Sequence, residues 1–268
     1  MNQAMARRRA TSAVVVGIDG SRAAVTAARW ALDEAVSREV PLRLVSVIDA
    51  PAESCAPEME YAEESLRGAA ATVHELGKPV KVDTAVRWGV DEVILLEESE
   101  SAAMVCVGTV GIGRVAHRLL GSTAVALATG ARCAVAIIRR KPPPEGWVVV
   151  LVDHRPGNDD VVQQAMDEAR LRKAPLLALG VGRWDLDAVR YHELEERIGG
   201  WRERYPDVCV QRSEAPGGAV EYLDTRNKTV QLLVTGSVNA NELTRLIGPH
   251  SHPILDHPAC SVLVVRSE

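Results

Sequence analysis

The 268-residue sequence predicts an α/β protein of two tandem domains, each a doubly wound, five-stranded parallel sheet. Three observations carry that prediction. A long segment is written twice, short apolar runs alternate with longer helical patterns in each copy, and a proline-rich stretch separates the copies. Shifted by 134 positions, DGSRAAVTAARWALDEAVSREVPLRLVSV from Asp19 lies over DHRPGNDDVVQQAMDEARLRKAPLLALGV from Asp153. ALDEA falls on AMDEA, Pro41 on Pro175, and LRLVSV on LLALGV. Further on, AMVCVG (103–108) matches QLLVTG (231–236), and CAVAIIR (133–139) matches CSVLVVR (260–266). Order is kept while the offset drifts from 134 to 127, which is internal repetition. RRKPPPEG (139–146) reads as a linker and divides the chain into domains 1–141 and 142–268.

Each element of the first copy follows from its local pattern. Strands are expected at 12–18, 41–48, 80–86, 103–108 and 133–139. Between the first two, Val25, Ala28, Leu32, Ala35 and Val36 recur at helical spacing. Strand and helix in regular alternation indicate a parallel sheet covered on both faces. Such strands are apolar on both sides, so they read as near-continuous Val/Ile/Leu runs. In the second copy WDLDAVRYHELEERIGGWRERY (184–205) reads as a long amphipathic helix, with Trp201 open to a core or an interface role. EES (63–65), EESES (97–101) and ELEER (193–197) read as solvated helix faces.

Composition narrows the class. The net charge of −5 argues against a general nucleic-acid binder, and RRR at 7–9 is the one basic cluster outside predicted helices. No apolar region follows those arginines, as a signal peptide would require, and no apolar run approaches the ~20 residues of a membrane span. The five cysteines include no C-x-x-C, and Cys106, Cys133, Cys209 and Cys260 sit in or beside apolar runs, as buried reduced thiols do. A soluble cytoplasmic protein without membrane insertion is expected.

Asp19 closes the first apolar run and is followed by Gly20 and Ser21. A carboxylate there suits a turn and a helix cap. It also stands where doubly wound sheets bind ligands, beyond the carboxyl ends of the strands. At the end of the fourth strand the sequence reads GTVGIGRVAHRLLGSTA from Gly108. Gly108 and Gly111 open a turn, and after nine residues Gly121 and Ser122 begin a helix. Glycines let the backbone approach a ligand, and the N–H groups of a helix start favour an anion. Ser122 and Thr123 add hydroxyl donors. A carboxylate for a base amine or ribose hydroxyl, facing an anion cradle, describes a nucleotide site.

The G-x-x-G, nine-residue, G-S pattern after a first strand ending in Asp-Gly-Ser resembles the ATP-binding universal stress proteins. The likeness runs the length of the chain and is similar to the tandem two-domain members of actinobacteria. It implies a Rossmann-like fold binding ATP, with Mg2+, at the crevice between strands 1 and 4. In that reading Asp19 contacts adenine, Ile18 and Val47 line base and sugar, and Gly108, Gly111, Gly121, Ser122 and Thr123 hold ribose and phosphates. Arg114, His117 and Arg118 stand in the same loop, while Val110 and Ala124 depart from residues common in the family. The resemblance implies a regulatory role in stress response, such as hypoxia, dormancy or growth control. An unidentified protein partner is implied with it, and pairing through CAVAII and CSVLVV, as a homodimer or an intramolecular domain pair.

The second copy lacks the cradle. In GSVNANELTRLIGPH from Gly236, Asn239 replaces the second glycine and Pro249 stands in the place of Ser122. Asp153 is kept but is followed by HRPG, so this half is expected not to bind ATP in the family manner. Other readings compete. GIGRVA (111–116) fits a dinucleotide fingerprint, but it follows the fourth strand and has no acidic residue ~20 positions on. His250, His252, His257 and Cys260 are a metal-ligand set without regular spacing. A nucleotide-free interaction module is the main alternative. No G-x-S-x-G, H-E-x-x-H or poised general base appears, so no enzyme is expected and any ATP turnover should be slow.

Overall fold

The computed structural model describes residues 12–49, 56–109, 121–139, 145–153, 155, 157–181, 188–215, 219, 222, 229–237 and 260–267. The chain divides into two compact units, Met1–Lys141 and Pro142–Glu268. The first unit runs β1 (Val14–Gly17), α1 (Arg22–Arg38), β2 (Leu42–Ile48), α2 (Ala56–His74), β3 (Val82–Trp88), α3 (Asp91–Glu98), β4 (Met104–Gly108), α4 (Ser122–Gly130) and β5 (Ala134–Ile138). All pairings are parallel, and the strand order is β3-β2-β1-β4-β5. The chain winds outward through β2 and β3, then returns to place β4 on the other side of β1. Right-handed crossovers then put α1 and α2 on one face and α3 and α4 on the other. The point where winding reverses lies between β1 and β4.

The second unit repeats the plan with β6 (Trp147–Val152), α5 (Asn158–Leu171), β7 (Leu176–Val181), α6 (Ala188–Arg204), β8 (Val210–Ala215), β9 (Val230–Gly236) and β10 (Ser261–Val265). Its strands are ordered β8-β7-β6-β9-β10, again in parallel. The repeated prolines do the same work in both units. Pro41 accepts from the Val14 N–H (2.9 Å), and Pro175 accepts from the Val148 N–H (3.0 Å), so each starts the ladder between first and second strands.

The cores explain the apolar runs. Val14, Val15 and Val16 of β1, and Val148 through Val152 of β6, are essentially without solvent exposure. Each such side chain contributes about 1.5–3 kcal/mol by leaving water. On α1, Ala24, Ala27, Ala28, Ala31 and Ala35 are buried, and their small size lets the helix axis lie close to β1 and β4. Ser21 caps α1 by accepting the Ala24 N–H at 3.1 Å, a contact worth about 1 kcal/mol. The helix ends at Glu39 in the left-handed region (φ 55°), and α5 ends next to Lys173 in the same conformation (φ 50°), 134 residues on.

Several local expectations change. β3 extends to Trp88 rather than stopping at 86, because its register with β2 continues through Val47–Arg87 and Ile48–Trp88. A charged residue ended the apolar run without ending the ladder. Glu98, read as solvated, is largely buried; it accepts from Arg43 Nε (3.1 Å) on β2 and Arg87 Nη1 (2.8 Å) on β3. Trp201 is buried, with the Arg204 guanidinium 4.7 Å from its ring centre, which gives it a core role. Cys209, expected to be buried, is exposed, since Val208 and Val210 on either side take the inward positions. Cys106, Cys133 and Cys260 are buried thiols.

Candidate functional site

The site begins where β1 ends. Asp19 Oδ1 accepts the Ser21 N–H at 3.0 Å, closing a turn that carries the chain into α1. Gly20 sits in that turn at φ +81°, and a Cβ there would lie 2.3 Å from the Tyr61 hydroxyl. Tyr61, reaching over from α2, donates that hydroxyl to the Asp19 carbonyl at 3.2 Å. Asp19 is therefore a turn residue first, held from both its side chain and its backbone.

The two described glycines at the β4 side are glycines for different reasons. At Gly108 a Cβ would lie 2.7 Å from Ala23 Cβ and 2.8 Å from the Ala23 backbone carbon. The first turn of α1 presses on β4 here, and packing alone demands glycine. Gly121 is the opposite case. Its φ of −74° and ψ of 155° suit any residue, and among the described residues a Cβ would meet only the Thr109 carbonyl, at 3.6 Å. Its N–H donates to that carbonyl at 2.8 Å, which fixes the start of α4 beside the end of β4.

Between these ends lies a crevice of about 520 Å³, part of it open to solvent. The part of it that a water-sized sphere can enter is about 100 Å³, less than the ~300–1,000 Å³ of drug-sized ligand pockets. Ile18, Val45, Val47 and Val107 give it an apolar floor, while Asp19, Ser21, Asp91 and Thr123 supply polar groups. The structure thus brings together Ile18, Asp19, Val47, Gly108 and Thr123 of the expected residues. Gly121 adjoins the crevice without lining it, and Ser122 is exposed. Gly111, with Val110, Arg114, His117 and Arg118, lies outside the described residues.

Asp91 and Leu95 were missed by the sequence reading. The signal was present: Gly89, Val90 and Asp91 follow a strand just as Gly20 and Ser21 follow Asp19. Placing the end of the third strand at 86 left that strand end unexamined. Among the described residues no group of three or more His, Cys, Asp or Glu could hold a metal ion. His250, His252 and His257 lie outside the described residues, as do Asn239 and Pro249. No helix among the described residues is long and apolar enough to cross a membrane.

In the second unit the corresponding turn is tied down by the unit's own residues. Asp153 Oδ1 accepts the Arg155 N–H at 2.9 Å, and the buried Asn158 side chain bridges the Asp153 N–H (3.2 Å) and the Leu151 carbonyl (3.1 Å). Arg197 of α6 donates to the Asp153 carbonyl (3.1 Å), to Asn158 Oδ1 (3.2 Å) and to Asp159 (2.7 Å). ELEER is therefore more than a solvated face. Ser267 donates to the Gly157 carbonyl at 2.7 Å, closing the same corner.

The comparison with known proteins agrees with this arrangement. Residues 11–139 match the family model described as the universal stress protein family. Universal stress protein Rv2624c of Mycobacterium tuberculosis H37Rv is 45% identical over 260 residues, covering 94% of this chain and 96% of that protein. The chain belongs to the universal stress protein family. A second relative, universal stress protein Rv3134c of the same organism, is 41% identical and covers 98% of this chain and 99% of its own length. Among solved structures, a universal stress protein from Archaeoglobus fulgidus matches with a TM-score of 0.73 at 18% identity, covering 96% of this chain and 97% of that one. That likeness speaks to the fold, a tandem arrangement of two universal-stress-type domains.

Proposed function

We propose that the first unit is an adenine-nucleotide site, taking ATP with Mg2+, and that the protein is a regulator rather than an enzyme. One observation carries the reading. The crevice at the winding reversal has Thr123 of α4 in its lining, two residues past Gly121, and neither the backbone conformation of Gly121 nor any described neighbour demands a glycine there. A glycine of that kind fits a backbone that a ligand must approach closely. Membership of the universal stress protein family, and the spacing from Gly108 through Gly121, support the nucleotide as that ligand.

Occupancy acts by favouring one of two states that a partner protein distinguishes. A nucleotide-free interaction module is the second reading. It is favoured by Gly108, whose conservation of space serves Ala23 and needs no ligand.

The test is a calorimetric titration of ATP and Mg2+ into the wild-type chain and Gly121→Ala. The expected result is about one site per chain in the wild type, with affinity reduced at least about tenfold in the variant. The variant is expected to fold, since among the described residues the added methyl meets only the Thr109 carbonyl, at 3.6 Å. No heat at millimolar ATP in the wild type, or full affinity in Gly121→Ala, would overturn the reading.

A further inference from the structure

The turn after β1 stands between the crevice and α2. Gly17, Ile18, Asp19 and Ser21 line the crevice, while Gly20, between the last two, adjoins α2 instead. A Cβ at Gly20 would overlap the Tyr61 hydroxyl and come within 2.7 Å of Ser65 Oγ, one turn further along α2. Glycine, at φ +81°, is what lets the helix sit this close. Tyr61 uses the approach to donate its hydroxyl to the Asp19 carbonyl at 3.2 Å. The residue whose backbone α2 holds also lines the crevice, where its Oδ1 accepts the Ser21 N–H at 3.0 Å. The planar peptide between Asp19 and Gly20 carries that carbonyl. Swinging it away from Tyr61 alters ψ of Asp19 and φ of Gly20, and with them the place of Ser21. The two sides of the turn therefore move together.

We propose that Tyr61 is a positioning residue of the crevice: its hydroxyl holds the Asp19 turn in the form the ligand meets, and ligand binding in turn tightens the attachment of α2. The proposal rests on the nucleotide reading and adds to it the element through which occupancy is felt. Coupling of this kind is reciprocal, so a bond that favours the binding-competent turn is itself favoured by the ligand. The second unit supplies the contrast. There Arg197 brings a guanidinium to three acceptors, the Asp153 carbonyl, Asn158 Oδ1 and Asp159 Oδ1. Tyr61 brings a single hydroxyl, which a change of state can make or break at modest cost. Its ring is half exposed and Asp19 is only partly buried, so losing the bond strands no fully buried group. Ligand affinity and fold stability are therefore separable at this position.

The experiment measures binding of ATP with Mg2+ to the full chain and its Tyr61→Phe variant by calorimetry, with thermal unfolding of both. Tyr61→Phe keeps the ring and should lower affinity about three- to tenfold, the worth of one ordinary hydrogen bond. Its thermal midpoint should move by less than about 3 °C. In wild-type protein isotope-labelled in its tyrosine rings, the nuclear magnetic resonance signal missing from Tyr61→Phe should shift in step with ATP saturation. A purely structural tyrosine outside the crevice lining would not respond in that way. If ATP binds the wild type but Tyr61→Phe keeps full affinity, or the Tyr61 signal stays in place, Tyr61 has no such role and the nucleotide reading stands. An affinity loss that comes with a collapse of the thermal midpoint would make Tyr61 a structural residue only. If ATP does not bind the wild type, the nucleotide reading fails and this proposal with it.

Discussion

At the ends of β1 and β6 the chain leaves the sheet through an aspartate, and the two exits share more than the residue. Each carboxylate accepts the N–H two residues on, at 3.0 Å in the first unit and 2.9 Å in the second. Each backbone carbonyl accepts a donor from the helix after the second strand, Tyr61 at 3.2 Å and Arg197 at 3.1 Å. The difference lies around them. Beside Asp19 the strand ends open into a crevice, whereas beside Asp153 the side chains of Asn158 and Arg197 knit the turn to its neighbours. A strand-end aspartate is thus part of how this fold turns a corner. In the first unit the same aspartate also lines a crevice.

The scaffold side of that comparison can be broken most forcefully at a repeated ion pair. Glu34 of α1 is fully buried with Arg38 at 2.9 Å, and 134 residues on Glu168 is buried with Arg172. Removing one partner of such a pair leaves a charge in a low-dielectric interior, a loss of about 3–5 kcal/mol. Arg172→Ala should reach the upper part of that range and Arg38→Ala the lower, because the Arg172 side chain is 10% exposed and that of Arg38 22%. Urea unfolding of the two variants checks the order. The double change Glu168→Gln with Arg172→Met should recover much of the loss, and a failure to recover would mean that the pair itself, not the stranded charge, matters.

A smaller effect separates the two corners. Asn158→Ala strips partners from the Asp153 N–H and the Leu151 carbonyl in a buried setting, for an expected loss of about 2 kcal/mol. Ser21→Ala removes the α1 cap and should cost about 1 kcal/mol. Chemical denaturation of both variants tests whether the second unit's turn depends more on its own side chains than the first unit's does. Equal losses would remove that distinction.

Much of the fold was legible because it rests on local pattern. Apolar runs gave the strands, and the repeat gave two units with matched prolines, aspartates and helix ends. What escaped depends on contacts between distant positions. Gly108 reads as a ligand glycine until Ala23, 85 positions earlier, is seen against it. Glu98 reads as solvated until Arg43 and Arg87 close on it from two strands. Asp91 was missed because β3 runs through the charged Arg87 to Trp88, beyond where apolar character suggested an end. Five of the eight expected site residues line one crevice, since strand ends are predictable even where side-chain neighbours are not.

The mildest perturbation is silent near neutrality and confined to the second unit. Tyr205 is buried beside Trp201, donates to Asp167 at 2.8 Å, and has the Arg170 guanidinium 4.4 Å from its ring centre. Burial first, and then the hydrogen bond and negative charge of Asp167, push its phenol from 10 up to about 12, while Arg170 and Arg204 oppose the shift. The unfolded chain ionises this phenol near pH 10, and the folded chain does so only near 12. The folded state binds the proton more tightly, so this contribution is complete below about pH 10 and is lost as pH rises through about 12. The first unit has Ala71 at the position 134 residues earlier, so it has no equivalent phenol. An ultraviolet titration of the wild type and Tyr205→Phe should assign one late-ionising tyrosine to this site, with alkaline unfolding of the second unit following it. A Tyr205 that ionises near pH 10 would mean that the contact with Asp167 does not hold in solution.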